Sequence, residues 1–313
     1  MLRGLVVKEQ SGFFWVEASD QTTYVCRLRG RLMEEAQSAD IAAIGDVVWI
    51  EVVEPGVGTV ETVEERRNSV ARAVRTEGLR GGGAPERQHV IIANADQAFF
   101  VFAAVSPAPN TYALDRFLVM GEKAEIDPLV IIVNKIDLAD GDEIEAKFAP
   151  YRAMGYDLLM TSALHGTGIA ELRERLAGRV SVFTGPSGVG KTSLLNCIQP
   201  NLGRAVKSVS QRNQEGMHTT RDSELIKLEA GGYVADTPGI RTLTVWDVEP
   251  EELDAYFREI AAYVGVCRFG DCTHRSEPGC AVRKAVEKGV VAEARYVSYQ
   301  RLRAELEAAY ALN

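Results

Sequence analysis

Gly185, Gly190, Lys191 and Thr192 fall in the stretch GPSGVGKT at 185–192, where two glycines frame four residues and a Lys-Thr pair follows. An apolar run, VSVF, precedes it and a helical run, SLLNCI, follows, which is the strand–loop–helix setting that a phosphate-binding loop requires. The glycines let backbone amides wrap phosphate oxygens, Lys191 can reach the terminal phosphates, and the Thr192 hydroxyl can ligate magnesium. Pro186, Ser187, Gly188 and Val189 complete the loop and Ser193 opens the helix, so 185–193 is the candidate cradle for a nucleoside triphosphate.

Three further stretches narrow the nucleotide. DTPG at 236–239 supplies Asp236, suited to hold magnesium through water, and Gly239, whose amide can sense the terminal phosphate. EGMHTTRDSEL at 215–225 offers Thr219 or Thr220 as a second hydroxyl on the magnesium side. NKID at 134–137 ends an apolar run, and Asn134, Lys135 and Asp137 have the form of a guanine-reading loop. A carboxylate at Asp137 accepts from both the N1–H and the exocyclic amine of guanine, a pair of donors that adenine does not present. Ser162 and Ala163 in TSA at 161–163 can bring backbone to the base O6. Along the chain the base loops precede the phosphate loop, a rotation of the usual order that implies a circularly permuted nucleotide domain. The rotation leaves DTPG at the C-terminal edge of that domain, joined directly to the C-terminal segment.

A separate cluster, Cys267, Cys272, His274 and Cys280, offers three thiolates and one imidazole, a closed tetrahedral shell of the structural zinc type. Gly270, Pro278 and Gly279 supply loop residues around it, while Cys26 and Cys197 stand alone and read as core or strand residues. Three clustered cysteines among five suit metal binding in a reducing compartment better than disulfides.

These residues need elements to position them. A chain of 313 residues suggests two or three domains. Residues 1–65 alternate short segments rich in aromatic and β-branched residues, from LRGLVVKE to VGTVETV, as in an all-β barrel of the OB type; sandwiches and SH3-like barrels share these signals. Residues 66–89 carry six arginines and a triple glycine, and read either as a solvated Arg-rich linker or as a phosphate-contacting strap. From 90 to 245 strands alternate with helices, giving an α/β domain with a mostly parallel sheet. Residues 246–313 have helical spacing in PEELDAYFREIAAYVG and VAEARYVSYQRLRAELEAAYALN, making a mostly helical zinc-binding domain. A net charge of −9 argues against a DNA-coating protein and confines any RNA contact to local basic patches. No apolar run approaches the roughly 20 residues of a membrane span and the N-terminus lacks a signal-peptide pattern, so a cytoplasmic location is expected.

With CRLRGRL, ERRNSVAR, NKIDL, TSA, GPSGVGKTSLLN, HTTR, DTPG and CRFGDCTHRSEPGCAV in one order, the sequence resembles the circularly permuted RsgA/YjeQ family of ribosome small subunit-dependent GTPases. The resemblance spans nearly the whole chain. It implies hydrolysis of GTP to GDP and phosphate, stimulated by the small ribosomal subunit, in late maturation of that subunit through its 16S rRNA. One structural Zn2+, Mg2+ with GTP, and a monomer are expected. Thr220, immediately before Arg221, matches the magnesium-side threonine of related translational GTPases. Ile240 follows DTPG where many GTPases place a water-orienting Gln, so intrinsic hydrolysis should be slow. His218 matches a switch histidine proposed in this family to substitute, and joins Lys191 and Thr220 as a catalytic candidate; a solvated loop histidine is the competing reading. Arg27, Arg29 and Arg31, placed by alternation on one strand face, with Arg67 and Arg72 in the strap, are the RNA-contact candidates, against a merely solvated face. A P-loop kinase or metabolic NTPase with a structural zinc, and a GTP-dependent chaperone gripping peptide in its barrel, are the competing functions.

Overall fold

The computed structural model describes residues 1–35, 40–74, 87–203, 223–235 and 248–311. Five strands open the chain: β1 (Leu2–Gln10), β2 (Phe13–Ala18), β3 (Thr23–Leu28), β4 (Val47–Glu54) and β5 (Val57–Val63). They pair in the order β1-β2-β3-β5-β4, and β4 returns to β1, closing the barrel. The β3–β5 pair is parallel and the others antiparallel. This is the five-stranded Greek-key closure of an OB fold. Along β2 burial alternates strictly, so Phe14 and Val16 point inward to meet Val6, Cys26, Val48, Ile50 and Val60, while Phe13 and Trp15 point outward.

Sequence pattern missed the helix α1 (Gly30–Glu35) between β3 and β4. Because β3 ends at Leu28, the expectation that Arg27, Arg29 and Arg31 share one strand face is corrected. Arg27 is on β3, Arg29 lies in the connection and Arg31 in the first turn of α1. Residues 66–89 also differ from a linker. β6 (Ser69–Val74) pairs antiparallel with β7 (Arg87–Ala93), forming a ribbon whose backbone donors and acceptors are used in a ladder.

The α/β domain then runs β8 (Gln97–Ala103), α2 (Thr111–Lys123), β9 (Leu129–Asn134), α3 (Gly141–Ala153), β10 (Asp157–Met160), α4 (Ile169–Leu176), β11 (Val180–Thr184), α5 (Lys191–Ile198), β12 (Ser223–Lys227) and β13 (Tyr233–Ala235). In space the order is β10-β9-β8-β11-β13-β12, parallel throughout except for the β12–β13 pair. Every residue of β8 and β9 is buried, as expected of central parallel strands covered on both faces. Phe100, Phe102, Leu114, Leu118 and Phe148 fill one face; Phe99, Val101, Leu172, Leu176 and Leu194 fill the other. The phosphate-loop strand β11 sits between β8, which precedes it in sequence, and β13, which follows it, so β8–β10 complete a sheet whose centre comes later in the chain. β12 also pairs with β1 of the barrel, Lys8 opposite Glu224 and Glu9 opposite Ser223, joining the two units in one eleven-stranded sheet.

After residue 248 come a 3-10 turn (Leu253–Tyr256), α6 (Arg258–Ala261), α7 (Ala281–Glu287) and α8 (Glu293–Ala311). The expected helix in PEELDAYFREIAAYVG is broken because Phe257 is extended (φ −106, ψ 97). That turn carries its ring to 0% exposure, edge-on to Tyr299 at 5.6 Å. The unit packs on α2, with Val119 in the same apolar cluster as Val248, Leu253, Ile260, Leu302 and Leu306. Arg295 on α8 is 2% exposed and donates to Asp115 of α2 (2.6 Å) and to Glu259 of α6 (2.7 Å), its guanidinium over Phe257 at 4.5 Å. Two carboxylates satisfy one buried cation, a geometry costly to break from either side. Among the described residues no helix is long and apolar enough to cross a membrane.

Candidate nucleotide site and metal centre

The loops after β9, β10 and β11 leave the carboxyl ends of parallel strands on one edge of the sheet, where open α/β sheets bind ligands. The phosphate loop folds closely against its neighbours. Gly185 has φ +149, and a Cβ there would lie 2.1 Å from the Val101 carbonyl oxygen; Gly190 has φ +96, and a Cβ would lie 2.3 Å from Asn134 Nδ2. Only glycine fits both. Pro186, Ser187, Gly188 and Val189 form the turn between, with Ser187 and Gly188 exposed at its crest. Lys191, the first residue of α5, arches back over the loop, Nζ donating to the carbonyls of Gly185 (2.7 Å) and Pro186. Thr192 and Ser193 are exposed on the first turn of α5, where the helix dipole favours an anion.

Asn134 is 1% exposed. Its Nδ2 donates to Val189 O (2.9 Å), and its Oδ1 accepts from Thr161 Oγ1 (3.2 Å) and Ala163 N (3.3 Å). It therefore ties the phosphate loop and the TSA loop to the base loop, a positioning role that the NKID motif by itself does not separate from base reading. Lys135, in a left-handed conformation (φ 63), donates to Gly188 O (2.7 Å) and to Ser106 O, clamping the phosphate loop from the other side. Asp137 is exposed, and its Oδ1 accepts from Ser162 Oγ, which in turn accepts from His165 N (3.1 Å). The arrangement holds the Asp137 side chain at the surface, aimed by the buried Ser162. His218, Thr219, Thr220, Asp236, Gly239 and Ile240 lie outside the described residues.

Cys267, Cys272, His274 and Cys280 come together with their donor atoms within 4.8 Å of one another. His274 Nδ1 is 3.6 Å from Cys267 Sγ and 3.5 Å from Cys280 Sγ, and those two sulfurs are 4.0 Å apart. Metal–sulfur and metal–nitrogen bonds of tetrahedral thiolate–imidazole sites set edges of about 3.8 Å between sulfurs and about 3.5 Å between sulfur and nitrogen. The cluster fits a metal ion on geometry. Burial pushes the Cys272 thiol up to about 12. At Cys267 burial is outweighed by the amides of Ala281 and Val282, and the thiol falls below its ordinary value. Ala281 N donates to Cys267 Sγ (3.3 Å) and Arg283 N to Cys280 Sγ (3.4 Å). His274 Nε2 lies 3.2 Å from Asp254 Oδ2. Glu277 shapes the loop by accepting from Thr273 N (2.7 Å), Arg275 N (2.9 Å) and Ser276 N (3.0 Å). Sequence reasoning missed Asp254 and Glu277; no spacing rule links Asp254 to a histidine 20 residues on.

The sequence profile of the RsgA GTPase family matches residues 63–246, and that of the RsgA N-terminal domain matches residues 3–60. The chain belongs to the RsgA GTPase family. Among relatives, the small ribosomal subunit biogenesis GTPase RsgA of Moorella thermoacetica is 41% identical over 305 residues, 97% of each chain. The crystal structure of YjeQ from Thermotoga maritima superposes with a TM-score of 0.78 at 36% identity, covering 97% of this chain and 98% of that one. YloQ, described as a circularly permuted GTPase, gives 0.74 at 31%, covering 98% and 96%.

In this RsgA-family chain the arginine candidates separate by environment. Arg27 is exposed, its guanidinium over the outward Phe13 ring at 4.5 Å, and beside it Lys8 Nζ lies over Trp15 at 4.9 Å. Arg29 is ion-paired with Glu61 and, at 3.7 Å, with Glu51; Arg31 Nη2 reaches Glu61 O at 3.4 Å. In the strap, Arg67 donates to Asp96 (2.8 Å) and Asn94 O (3.2 Å), and Arg66 forks onto the fully buried Asp46 at 2.9 and 2.8 Å. Those two pairs tie the segment before β6 to its neighbours, and the Arg67 side chain stays largely exposed. Arg72 lies on β6 with its backbone paired to His89.

Proposed function

We propose that the chain binds GTP at the β9–β10–β11 edge and hydrolyses it to GDP and phosphate in response to the small ribosomal subunit, late in that subunit's maturation. One observation carries the reading. Asn134 hydrogen-bonds both the phosphate loop and the TSA loop, which supports reading the Asp137 carboxylate as the guanine end and the cradle 185–193 as the phosphate end of one nucleotide site. A small-molecule kinase has no use for that guanine end. The relative in Moorella thermoacetica, named for small-subunit biogenesis, supplies the partner by analogy.

In this reading the loop amides and Lys191 hold the β- and γ-phosphates, and Ser162 keeps the Asp137 carboxylate turned to the base. Thr192, Thr220 and Asp236 would hold Mg2+, which when bound neutralises charge on the phosphates. A water attacks the γ-phosphorus, the bond to the β-phosphate oxygen breaks, and His218 orients the water in place of the side chain that Ile240 lacks. Cys267, Cys272, His274 and Cys280 would hold one Zn2+, which supplies a crosslink for a loop-rich segment. We assign the domains as 1–65, 66–89, 90–245 and 246–313, and read the chain as a cytoplasmic monomer. For 16S rRNA, the exposed Arg27 and Lys8 with Phe13 and Trp15 give the barrel a cationic and aromatic face suited to backbone and base contacts. Co-sedimentation with purified small subunits tests the partner. Binding should require a non-hydrolysable GTP analogue and weaken steeply with salt; equal binding to large subunits, or insensitivity to salt, would contradict it.

A further inference from the structure

His274 divides its two ring nitrogens between different tasks. Nδ1 faces Cys267 and Cys280 at 3.6 and 3.5 Å, and Nε2 faces Asp254 Oδ2 at 3.2 Å. An imidazole ligates a metal through a lone pair, so Nδ1 must be unprotonated and the proton must sit on Nε2, where Asp254 accepts it. The pair is enclosed, with the side chain of His274 2% exposed and that of Asp254 12% exposed. We propose that Asp254 is a positioning residue of the metal centre, fixing the tautomer and ring orientation of His274, and that the centre therefore extends beyond the 267–280 loop. This inference rests on the zinc reading above.

Its interest lies in where Asp254 comes from. It belongs to the 3-10 turn Leu253–Tyr256, in the chain that leads from the nucleotide domain, shortly after the DTPG segment. The turn is also anchored to α2, through Leu253 in the cluster that contains Val119 and through Glu252, which accepts from Lys123 at 2.6 Å. A metal bound by His274 thus has its outer hydrogen bond on the connection itself. Loading the metal fastens that connection to the cysteine loop, and displacing the connection loosens the metal. By linkage the two effects are equal in size.

Competition between the full-length chain and a zinc chelator tests this, using the parent, Asp254→Ala, Asp254→Asn and Glu252→Gln, each checked for GTP binding as proof of folding. Asp254→Ala should hold zinc about 10–100-fold more weakly, the usual effect of removing an outer-shell carboxylate. Asp254→Asn keeps an acceptor for Nε2–H without the charge and should lose less; if the alanine variant fails to fold, the asparagine variant carries the comparison. Glu252→Gln weakens the turn's tie to Lys123 while leaving the Asp254–His274 contact in place, and should lose far less affinity than Asp254→Ala. Zinc affinity unchanged by both Asp254 substitutions would overturn the proposal, as would an equal loss in Glu252→Gln. A parent chain that takes up no zinc would instead overturn the zinc reading on which it rests.

Discussion

Replacing Asp137 by Asn probes the guanine end of the pocket with a change of one atom. Asp137 is exposed at the rim with Oδ1 accepting from Ser162 Oγ, and among the described residues Oδ2 has no partner. The carboxylate can thus take both the N1–H and the amine of guanine. Hydrogen bonds to a charged group contribute about 1.5–3 kcal/mol each, so two amount to about 3–6 kcal/mol. An amide keeps one acceptor and turns the other into a donor facing the guanine amine. With one of the two bonds lost, GTP affinity should fall at least roughly 10–10²-fold. Xanthosine triphosphate carries a carbonyl where guanine has its amine, and the new amide donates to it, so its affinity should rise until the preference inverts. Competition of GTP and xanthosine triphosphate against a fluorescent GDP analogue reads both constants. Ser162→Ala removes the hydrogen bond that aims the carboxylate and should weaken GTP binding about tenfold without changing base choice. An unchanged GTP to xanthosine triphosphate ratio in Asp137→Asn would refute the base-loop assignment.

Three other perturbations reach different parts of the molecule. Arg295→Met leaves Asp115 and Glu259 buried without their cation and should cost about 3–5 kcal/mol in urea unfolding, partly recovered by Asp115→Asn; full parental stability would show that the network is not closed in solution. At Glu277 burial raises the carboxyl, but Thr273 and the amides of the 273–277 loop outweigh it and hold the group at about 2, below its ordinary 4.5. A depressed carboxylate stabilises the fold above its unfolded value and loses that contribution as pH falls from about 4.5 toward 2. The stability difference between parent and Glu277→Gln should therefore shrink across that window, and a difference independent of pH would contradict the cause. His218→Ala should reduce subunit-stimulated turnover far more than GTP affinity; equal stimulated rates would return His218 to a solvated loop residue.

What could be read from sequence depended on whether the information was local. The barrel strands, the α/β alternation and the phosphate loop each show as short-range periodicity or fixed spacing, and β1–β5, β8–β11 and β13 lie where those patterns put them, while β12 falls in a stretch read as a loop. The cysteine cluster was legible for the same reason. Long-range pairing left no such trace. Arg295 sits in a helix segment, EARYVSYQRLR, that reads as amphipathic and charged, and nothing in it announces partners 180 and 36 residues away. The NKID motif marks Asn134 for the base, but its further hydrogen bonds to the phosphate loop and the TSA loop are long-range and do not show in that spacing. Alternation carried Arg29 and Arg31 onto a strand that stops at Leu28, since a period-two pattern does not mark where α1 intervenes. Ribbon β6–β7 was hidden because 66–89 reads as a linker in composition, whereas Arg72 and Arg87 lie on strands whose backbone is paired.

The central claim joins guanine recognition, phosphate hydrolysis and the small subunit in one chain. Steady-state release of phosphate from GTP, measured with and without purified small subunits and with large subunits as control, tests it most directly. Turnover should be slow for the chain alone and strongly accelerated by small subunits only, with no comparable hydrolysis of ATP. Equal rates with and without small subunits, or ATP turned over as readily as GTP, would contradict it.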